Sequence, residues 1–349
     1  MSFADADHLL TSTAIRTPSL RLARDGSVLP ESAYTRSATL AGRPLTGLVD
    51  PRKALALFDA GATVVFQGLH RYWPPLTRLV AELELELGHP CQANAYLTPP
   101  GAQGFAVHSD SHDVFVFQTA GSKQWEVHTP DGVEDVILEP GVSMYLPTGT
   151  PHAARAQDTV SLHVTIGINQ LTWRGLVRRS IDAALVDVPD EHLPAGYLDD
   201  PASLFGGLAS RLEDVAAQIR EIDAAAAVED EVRRFLTGRG PRLAGGLVDV
   251  LAVRDLDDDT MLRRRPGHPF VLLDRTDHRG ARVEVLLGDR SLDVPAWIRP
   301  ALDEVRTRAE LRPADLADHL DPQSRITLCR RLVREGLLVV DNTPRTNSL

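Results

Sequence analysis

Seven short β-rich runs between residues 91 and 170 place the strongest constraint on the fold of this chain. Turn signals separate them, at Pro99-Pro100-Gly101, Pro130-Asp131-Gly132 and Glu139-Pro140-Gly141. Many short strands at this spacing are typical of a β-sandwich or barrel, in which successive side chains face opposite sides of a sheet. The runs are ANAYLT, GFAVHSD, VFVFQTAG, KQWEVHT, VEDVILE, SMYLPTG and VSLHVTIGI.

Two helices and a buried strand are predicted just before this β-rich region. Residues 51–60 are expected to be helical, because Asp50 can cap the N-terminus and Pro51 suits the first position. Residues 74–88 form the next helix, which begins at two prolines and ends at a glycine. The apolar run ATVVFQGL between them is typical of a buried strand, whereas residues 1–50 show turn signals and no long period.

The hydrophobic pattern changes to a helical period after residue 171. The stretch TGRGPRLAG at 237–245 is typical of a linker. Beyond it come two β-like pieces, helices at 313–320 and 323–335 and a final run GLLVVD, an order that resembles a winged-helix module. We therefore predict an α+β chain of three domains. The predicted domains are residues 1–170, 171–240 and 241–349.

Charge and cysteine usage exclude some classes of protein. The formal net charge is -11, and residues 291–349 carry nine acidic residues and nine arginines. Neither provides the basic face that nucleic acid requires, so a protein-binding or dimer-supporting role is the better interpretation of the C-terminal module. Cys91 and Cys329 lie far apart, which indicates a reducing compartment. Without a signal-peptide pattern or a long apolar run, we expect a cytoplasmic protein with no membrane span.

A histidine and an aspartate two residues apart, His108 and Asp110, lie in the run GFAVHSD. Side chains at positions i and i+2 of a strand share a face, so both can reach one metal ion. His152, which follows a turn further along the chain, is the candidate third ligand. Two histidines and one carboxylate on one face of an ion, with open positions opposite, form the facial triad of non-haem Fe(II) oxygenases.

Chance is the alternative explanation for so short a pattern as H-x-D. Three further histidines compete for the ligand role: His112, His128 and His163. His112 could share the face of Asp110, but H-x-x-x-H in a strand is not a helical zinc motif, and a rim or structural position is the simpler interpretation. We expect Trp125 to be a core residue.

Residues 94–127 read NAYLTPPGAQGFAVHSDSHDVFVFQTAGSKQWEV. This segment resembles the JmjC-type cupin oxygenases of the ribosomal oxygenase group, which hydroxylate arginine or histidine of ribosomal proteins. The runs LEPGVSMYLPTGTPHAA at 138–154 and SLHVTIG at 161–167 resemble the same family. So does the order of a jelly-roll (double-stranded β-helix) barrel, a helical dimerisation region and a C-terminal winged helix. The resemblance rests on motifs over residues 91–170 and on pattern alone after residue 171.

The resemblance implies an Fe(II)- and 2-oxoglutarate-dependent dioxygenase that uses O₂ and releases succinate and CO₂. In such an enzyme His108, Asp110 and His152 would be the iron ligands and the catalytic set. The substrate implied is a ribosomal-protein arginine or histidine, and the chain is expected to be a homodimer. Alternatives are a hydroxylase of a small molecule or peptide in specialised metabolism, a demethylase, and a non-catalytic metal-binding cupin regulator.

Lys123, one of only two lysines in the chain, falls where the resemblance implies a basic residue for the distal carboxylate of 2-oxoglutarate. A carboxylate that leaves water needs a cation of this kind. The resemblance also places Asn94 near the co-substrate. A solvent-facing lysine and a strand-edge asparagine are the alternatives.

Two sets of residues stay open at this stage. Either face of the last strand of the β-rich region could meet the site, and that strand carries Ser161, His163 and Thr165. Acidic side chains near the barrel mouth would favour an arginine substrate, with exposed surface charge as the alternative. The candidates are Asp113, Asp131, Glu134 and Asp135.

Overall fold

The computed structural model describes residues 1–341. The chain divides into two compact units, Met1–Gln170 and Leu171–Leu349. Each unit contains both helices and strands, so the predicted α+β class is confirmed. The division into three domains stays a prediction. In the described part of the chain no helix combines the length and the apolar character that a bilayer crossing requires.

The first unit contains three helices and twelve strands among its described residues. The helices are α1 (Phe3–Ser12), α2 (Pro51–Asp59) and α3 (Pro74–Leu87). The strands are β1 (Leu20–Arg24), β2 (Ser27–Val28), β3 (Thr35–Leu40), β4 (Arg43–Val49), β5 (Thr63–Phe66), β6 (Cys91–Thr98), β7 (Asp113–Ala120), β8 (Lys123–Thr129), β9 (Gly132–Leu138), β10 (Ser143–Leu146), β11 (His152–Ala156) and β12 (Ser161–Ile168).

Local capping explains why α2 and α3 could be predicted from the sequence. The Asp50 carboxylate accepts hydrogen bonds from the backbone N–H groups of Arg52 and Lys53, which have no partner inside the helix. Helix α3 begins at two prolines and ends at Gly88, whose φ of 68° is the left-handed conformation that glycine adopts most easily. Both helix predictions are confirmed.

Two antiparallel sheets face each other in the first unit. The larger has the order β10-β7-β12-β6-β5-β1-β2, and the smaller has the order β11-β8-β9. Val114 and Val116 of the larger sheet pack with Trp125 and Val127 of the smaller one in a shared apolar cluster. Trp125 is 4% exposed, so it is a core residue as expected. Side-chain packing between the two sheets therefore holds the jelly-roll barrel together.

Period-two alternation gives β12 one apolar face and one polar face. Leu162, Val164 and Ile166 lie in the main core. The intervening residues His163 and Thr165 point to the opposite side, and both are buried. Because β12 lies between β7 and β6 in the larger sheet, this polar face is at the centre of the barrel.

One predicted strand and one predicted loop region differ from the structure. The run GFAVHSD is not a strand, because only isolated bridges at Phe105 and His108 interrupt its irregular backbone. Residues 1–50 contain α1 and four strands that were not predicted. Two of them, β1 and β2, extend the larger sheet. The second partner of β1 is β5, which is distant in sequence, so no local period marks β1.

The second unit contains six helices and six strands among its described residues. The helices are α4 (Trp173–Ala184), α5 (Phe205–Arg220), α6 (Ala224–Thr237), α7 (Gly246–Ala252), α8 (Arg299–Thr307) and α9 (Pro322–Arg334). The strands are β13 (Leu262–Arg264), β14 (Val271–Asp277), β15 (Gly280–Leu286), β16 (Ser291–Pro295), β17 (Glu310–Leu311) and β18 (Leu338–Val340).

The C-terminal helices differ in part from prediction. The helix predicted at 313–320 is only a 3₁₀ turn, Pro313–Leu316, whereas the one predicted at 323–335 is α9. Helix α8 was not predicted. An apolar core that contains Leu302, Val305 and Leu332 joins α8 and α9 to the strands of this region.

Candidate metal centre

His108, Asp110 and His152 converge at one end of the barrel. Each offers one ligand atom, and the three ligand atoms lie within 4.8 Å of one another. Two backbone hydrogen bonds hold His108 close to His152. The N–H of His108 donates to the His152 carbonyl at 3.0 Å, and the N–H of His152 donates to the His108 carbonyl at 2.8 Å. A third bond, from Gly149 N–H to the Asp110 carbonyl at 2.9 Å, holds the other end of the loop.

The expectation that His108 and Asp110 share a regular strand face was wrong in its backbone detail. They lie on an irregular loop, and the loop is held against the start of β11 rather than built into a sheet. The ligand set nevertheless converges, because the bridge with His152 substitutes for strand pairing.

Both histidine rings are oriented for metal binding. His108 Nδ1 lies 2.9 Å from the Ala106 carbonyl, and His152 Nδ1 lies 2.9 Å from the Thr150 carbonyl. A carbonyl can only accept, so each Nδ1 carries the proton and each Nε2 keeps its lone pair for a ligand. Burial lowers the pKa of His152, which favours the neutral ring that a metal requires. These donors fit a divalent ion with mixed nitrogen and oxygen ligands.

Lys123 enters the barrel from the smaller sheet and is 3% exposed. Its Nζ donates to Thr98 Oγ1 at 2.9 Å and lies 3.5 Å from His163 Nδ1. Burial lowers the pKa of Lys123 to about 7. No carboxylate in the described part of the chain forms an ion pair with it. A buried cation without a counter-charge is expensive, and an anionic ligand would compensate it.

His163 and Thr165 line the cavity, whereas Ser161 is buried at the strand end and accepts a hydrogen bond from Gln118 at 2.9 Å. The His163 ring stacks on Tyr96 with a centroid distance of 4.8 Å and an interplanar angle of 3°. Burial and the neighbouring Lys123 hold the pKa of His163 well below its usual value. His163 is therefore a neutral wall residue at pH 7.

Asn94 faces the same cavity from β6. Its Oδ1 accepts the backbone N–H of Gly68 at 3.0 Å, so the amide oxygen is already used to hold a turn. The amide NH₂ is the group left to donate to a ligand.

The rival histidines have other surroundings. His128 lies outside the cavity lining and pairs with Glu126 at 2.7 Å. His112 lines the cavity and packs over Gly167, where a Cβ would lie 2.5 Å from its Nε2. A larger residue at position 167 would therefore displace this ring.

The four acidic residues considered for the mouth do not line the cavity. Burial would raise the pKa of Asp113, but hydrogen bonds from Tyr145 and Thr148 lower it to about 2. Asp131, Glu134 and Asp135 are exposed at the β8–β9 turn and along β9. Among the described residues Asp110 is the one carboxylate of the lining. The structure therefore favours surface charge, rather than a substrate-binding role, for these four acidic residues.

The cavity measures about 560 Å³ and extends past the metal cluster to residues that sequence reasoning missed. Tyr96 follows Asn94 at a two-residue step, so the strand period could have found it. Arg21 and Arg71 had no such signal, because the pattern before residue 50 shows no period and Arg71 lies in a short turn. Their presence adds positive charge to the cavity lining.

Two facing β-sheets that hold a two-histidine, one-carboxylate cluster beside a buried lysine form a cupin-type metal site. Residues 72–132 and 128–176 match the family model of the JmjC domain. The predicted resemblance to JmjC-type oxygenases is thereby confirmed over residues 72–176.

Similar proteins carry ribosomal oxygenase names. A bifunctional lysine-specific demethylase and histidyl-hydroxylase NO66 from Branchiostoma floridae is 37% identical over 161 residues, which are 44% of this chain and 26% of that protein. Ribosomal oxygenase 1 from Rattus norvegicus is 30% identical over 178 residues, 43% of this chain and 30% of the relative. The chain thus spans a minor part of these relatives.

The fold is also that of a solved ribosomal oxygenase. The crystal structure of Escherichia coli ribosomal oxygenase YcfD aligns with a TM-score of 0.54 at 18% identity and covers 98% of this chain and 91% of that one. A further YcfD structure, in complex with cobalt and 2-oxoglutarate, aligns with a TM-score of 0.53 at 18% identity, with the same coverage of each chain. The cupin-like α+β architecture is confirmed by this likeness.

Proposed function

We propose that the protein is an Fe(II)- and 2-oxoglutarate-dependent dioxygenase that hydroxylates a side chain of a protein substrate. One observation carries this proposal: a two-histidine, one-carboxylate cluster shares a single cavity with a buried lysine that lacks a carboxylate partner among the described residues. A metal that keeps open positions and a dicarboxylate co-substrate account for both features at once.

His108, Asp110 and His152 would hold the iron and leave its remaining positions facing the cavity. Bound Fe(II), with 2-oxoglutarate and O₂, supplies the chemistry that hydroxylates a C–H bond and yields succinate and CO₂. The protein's own part is to fix both imidazoles through their Nδ1 bonds and to exclude water with Trp125 and Tyr96.

Lys123 would bind the distal carboxylate of 2-oxoglutarate. Lys123 and Val127, the register partner of His152, are four residues apart on β8, about 13 Å at a rise of roughly 3.3 Å per residue. The lysine side chain and an extended five-carbon acid together bridge that span. Thr98 holds Nζ in place, and Asn94 would donate its amide NH₂ to the co-substrate.

The proposed substrate is an arginine or histidine side chain of a ribosomal protein. The support is the similarity to relatives that are named ribosomal oxygenases and, in one case, a histidyl-hydroxylase. A cavity of about 560 Å³ is larger than 2-oxoglutarate alone requires, which leaves space for a substrate side chain.

Anaerobic loading with Fe(II), followed by a succinate assay with digested ribosomal proteins, tests the activity. We expect succinate and a peptide that gains the mass of one oxygen. Asp110→Ala should abolish both, whereas His128→Ala, which changes a histidine outside the cavity, should not. Succinate without any oxidised peptide would favour a small-molecule substrate, and no succinate at all would refute the proposal.

The second unit supports a proposal about assembly. We infer that α4 and α5 form a homodimer interface, since large apolar side chains on them are exposed within the single chain. The exposed side chains include Trp173, Val177, Phe205, Leu208 and Leu212. We also propose that the region after residue 241 is a winged-helix module that binds protein rather than DNA, because its last part carries no net charge.

A further inference from the structure

We propose that Arg21 is a specificity-determining residue, which admits a target side chain that is uncharged and accepts a hydrogen bond, such as imidazole, and rejects a guanidinium. This inference rests on the proposed hydroxylase function. It concerns the part of the cavity where Arg21 contacts Phe105, beside the metal cluster.

Strand register places Arg21 on the face of the larger sheet that lines the cavity. Arg21 pairs with Val65, Val65 pairs with Tyr96, and Tyr96 pairs with His163. These four residues form one row across four strands. Side chains in such a row share one face of the sheet. Strand pairing therefore directs the Arg21 side chain toward the cavity.

Aromatic contacts hold the guanidinium beside the metal site. Arg21 Cζ lies 5.2 Å from the centroid of the Phe105 ring. Phe105 in turn lies 5.8 Å from the ring of His108, centroid to centroid. One ring therefore separates the guanidinium from a proposed metal ligand. A planar guanidinium stacks on an aromatic face in this way more readily than an ammonium does.

The protein uses the donors of Arg21 only in part, because one side-chain hydrogen bond goes to Tyr96. Its Nε is buried and has no hydrogen-bond partner in the structure. No described carboxylate forms an ion pair with it, and the nearest acidic residue of the lining is Asp110, which is committed to the metal cluster. Because Arg21 lines the cavity, its guanidinium N–H groups can donate to an acceptor on a substrate, and its charge disfavours a second cation there.

Two further cationic donors line the same cavity. Arg71 lines it, and Lys123 lies deeper on the opposite sheet. An arginine substrate brings five N–H donors, no acceptor and a positive charge, so it can satisfy none of these groups. A neutral imidazole brings one acceptor nitrogen and no charge at pH 7. Like charges facing each other in a site exclude the wrong partner strongly.

The test uses wild-type protein and a chymotryptic digest of ribosomal proteins, which leaves arginines inside peptides. We expect the oxygen to appear on histidine peptides in preference to arginine peptides. Arg21→Glu should shift that ratio toward arginine by about tenfold or more, since it reverses one charge near the target. Arg21→Lys, which keeps the charge, should retain most of the selection against arginine.

Arg24→Gln is the matched control, because Arg24 lies on the same strand, is half-buried and does not line the cavity. It should leave the peptide ratio as in wild type. Oxygen mainly on arginine peptides with wild-type protein would overturn the inference even if every variant failed to fold. An unchanged ratio in Arg21→Glu would also overturn it.

Two further outcomes separate this inference from the proposals on which it rests. If Arg21→Gln raised the KM for 2-oxoglutarate as strongly as Lys123→Ala, Arg21 would be a co-substrate ligand and the inference would be wrong. If wild-type protein formed no succinate, the hydroxylase proposal itself would fail. Calorimetric binding of histidine and arginine peptides under anaerobic conditions gives a readout that does not require turnover.

Discussion

Lys123 lies in surroundings that differ from those of an ordinary surface lysine. It is buried among Thr98, His163 and the wall of the barrel, and burial lowers its pKa to about 7. The sequence marked it because lysine is rare in this chain, and the resemblance gave it a role. The sequence did not show the two hydroxyl groups that position Lys123. Thr63 and Thr98 form a hydrogen bond only because β5 pairs with β6.

Replacing Lys123 with alanine should weaken 2-oxoglutarate binding and leave metal binding close to normal. A charge-assisted hydrogen bond of this kind corresponds to about ten- to a hundredfold in affinity. The measurements are the KM for 2-oxoglutarate and Fe(II) affinity. Lys53→Ala is the control, because that lysine is exposed and donates to the Thr35 carbonyl. Equal loss of metal and co-substrate in Lys123→Ala would contradict the assigned role.

The pKa of Lys123 also predicts how co-substrate binding depends on pH. Below pH 7 the ammonium is already present, whereas above it the lysine must take up a proton before it can pair with a carboxylate. Affinity for 2-oxoglutarate should therefore fall above about pH 7, by up to roughly tenfold per unit. Calorimetry in two buffers of different ionisation enthalpy measures the number of protons that are taken up when 2-oxoglutarate binds. Binding without proton uptake at pH 8 would show that Lys123 is not the partner.

At the scale of elements, prediction succeeded where the signal is local. Caps and prolines fixed α2 and α3, and alternation fixed β6, β7, β8 and β12. It failed where partners are distant in sequence. Residues 104–110 alternate like a strand but have no partner strand along their length, and β1 was hidden because its neighbour β5 lies some forty residues away. This second failure concealed Arg21.

The turn between β7 and β8 directs Lys123 into the barrel, and Gly121 is essential to that turn. Gly121 has a φ of 60°, and a Cβ there would overlap the carbonyl oxygen of Val160. Gly121→Ala should destabilise the fold by roughly 3 kcal/mol. Gly141→Ala is the control, with φ of 91° and open space around it, and should cost about 1 kcal/mol. Thermal unfolding compares them, and equal losses would mean that backbone strain alone matters.

At the scale of the whole molecule, the exposed apolar surface of α4 and α5 predicts self-association. Leu208 and Leu212 are 58% and 59% exposed in the single chain. Changing both to aspartate should convert a dimer into a monomer in light scattering, because two charges would face an apolar interface. Glu213→Ala on the same helix is the control. A monomeric wild-type protein would refute the dimer proposal.

Direct measurement of metal and co-substrate stoichiometry tests the central claim, that three side chains and one lysine form a single site. Anaerobic titration of the wild-type protein should give one Fe(II) per chain and one 2-oxoglutarate per bound metal. Asp110→Ala should lose both ligands, whereas Lys123→Ala should keep the metal alone. Binding of 2-oxoglutarate that is indifferent to the metal, or Fe(II) binding that survives the loss of Asp110, would contradict the account.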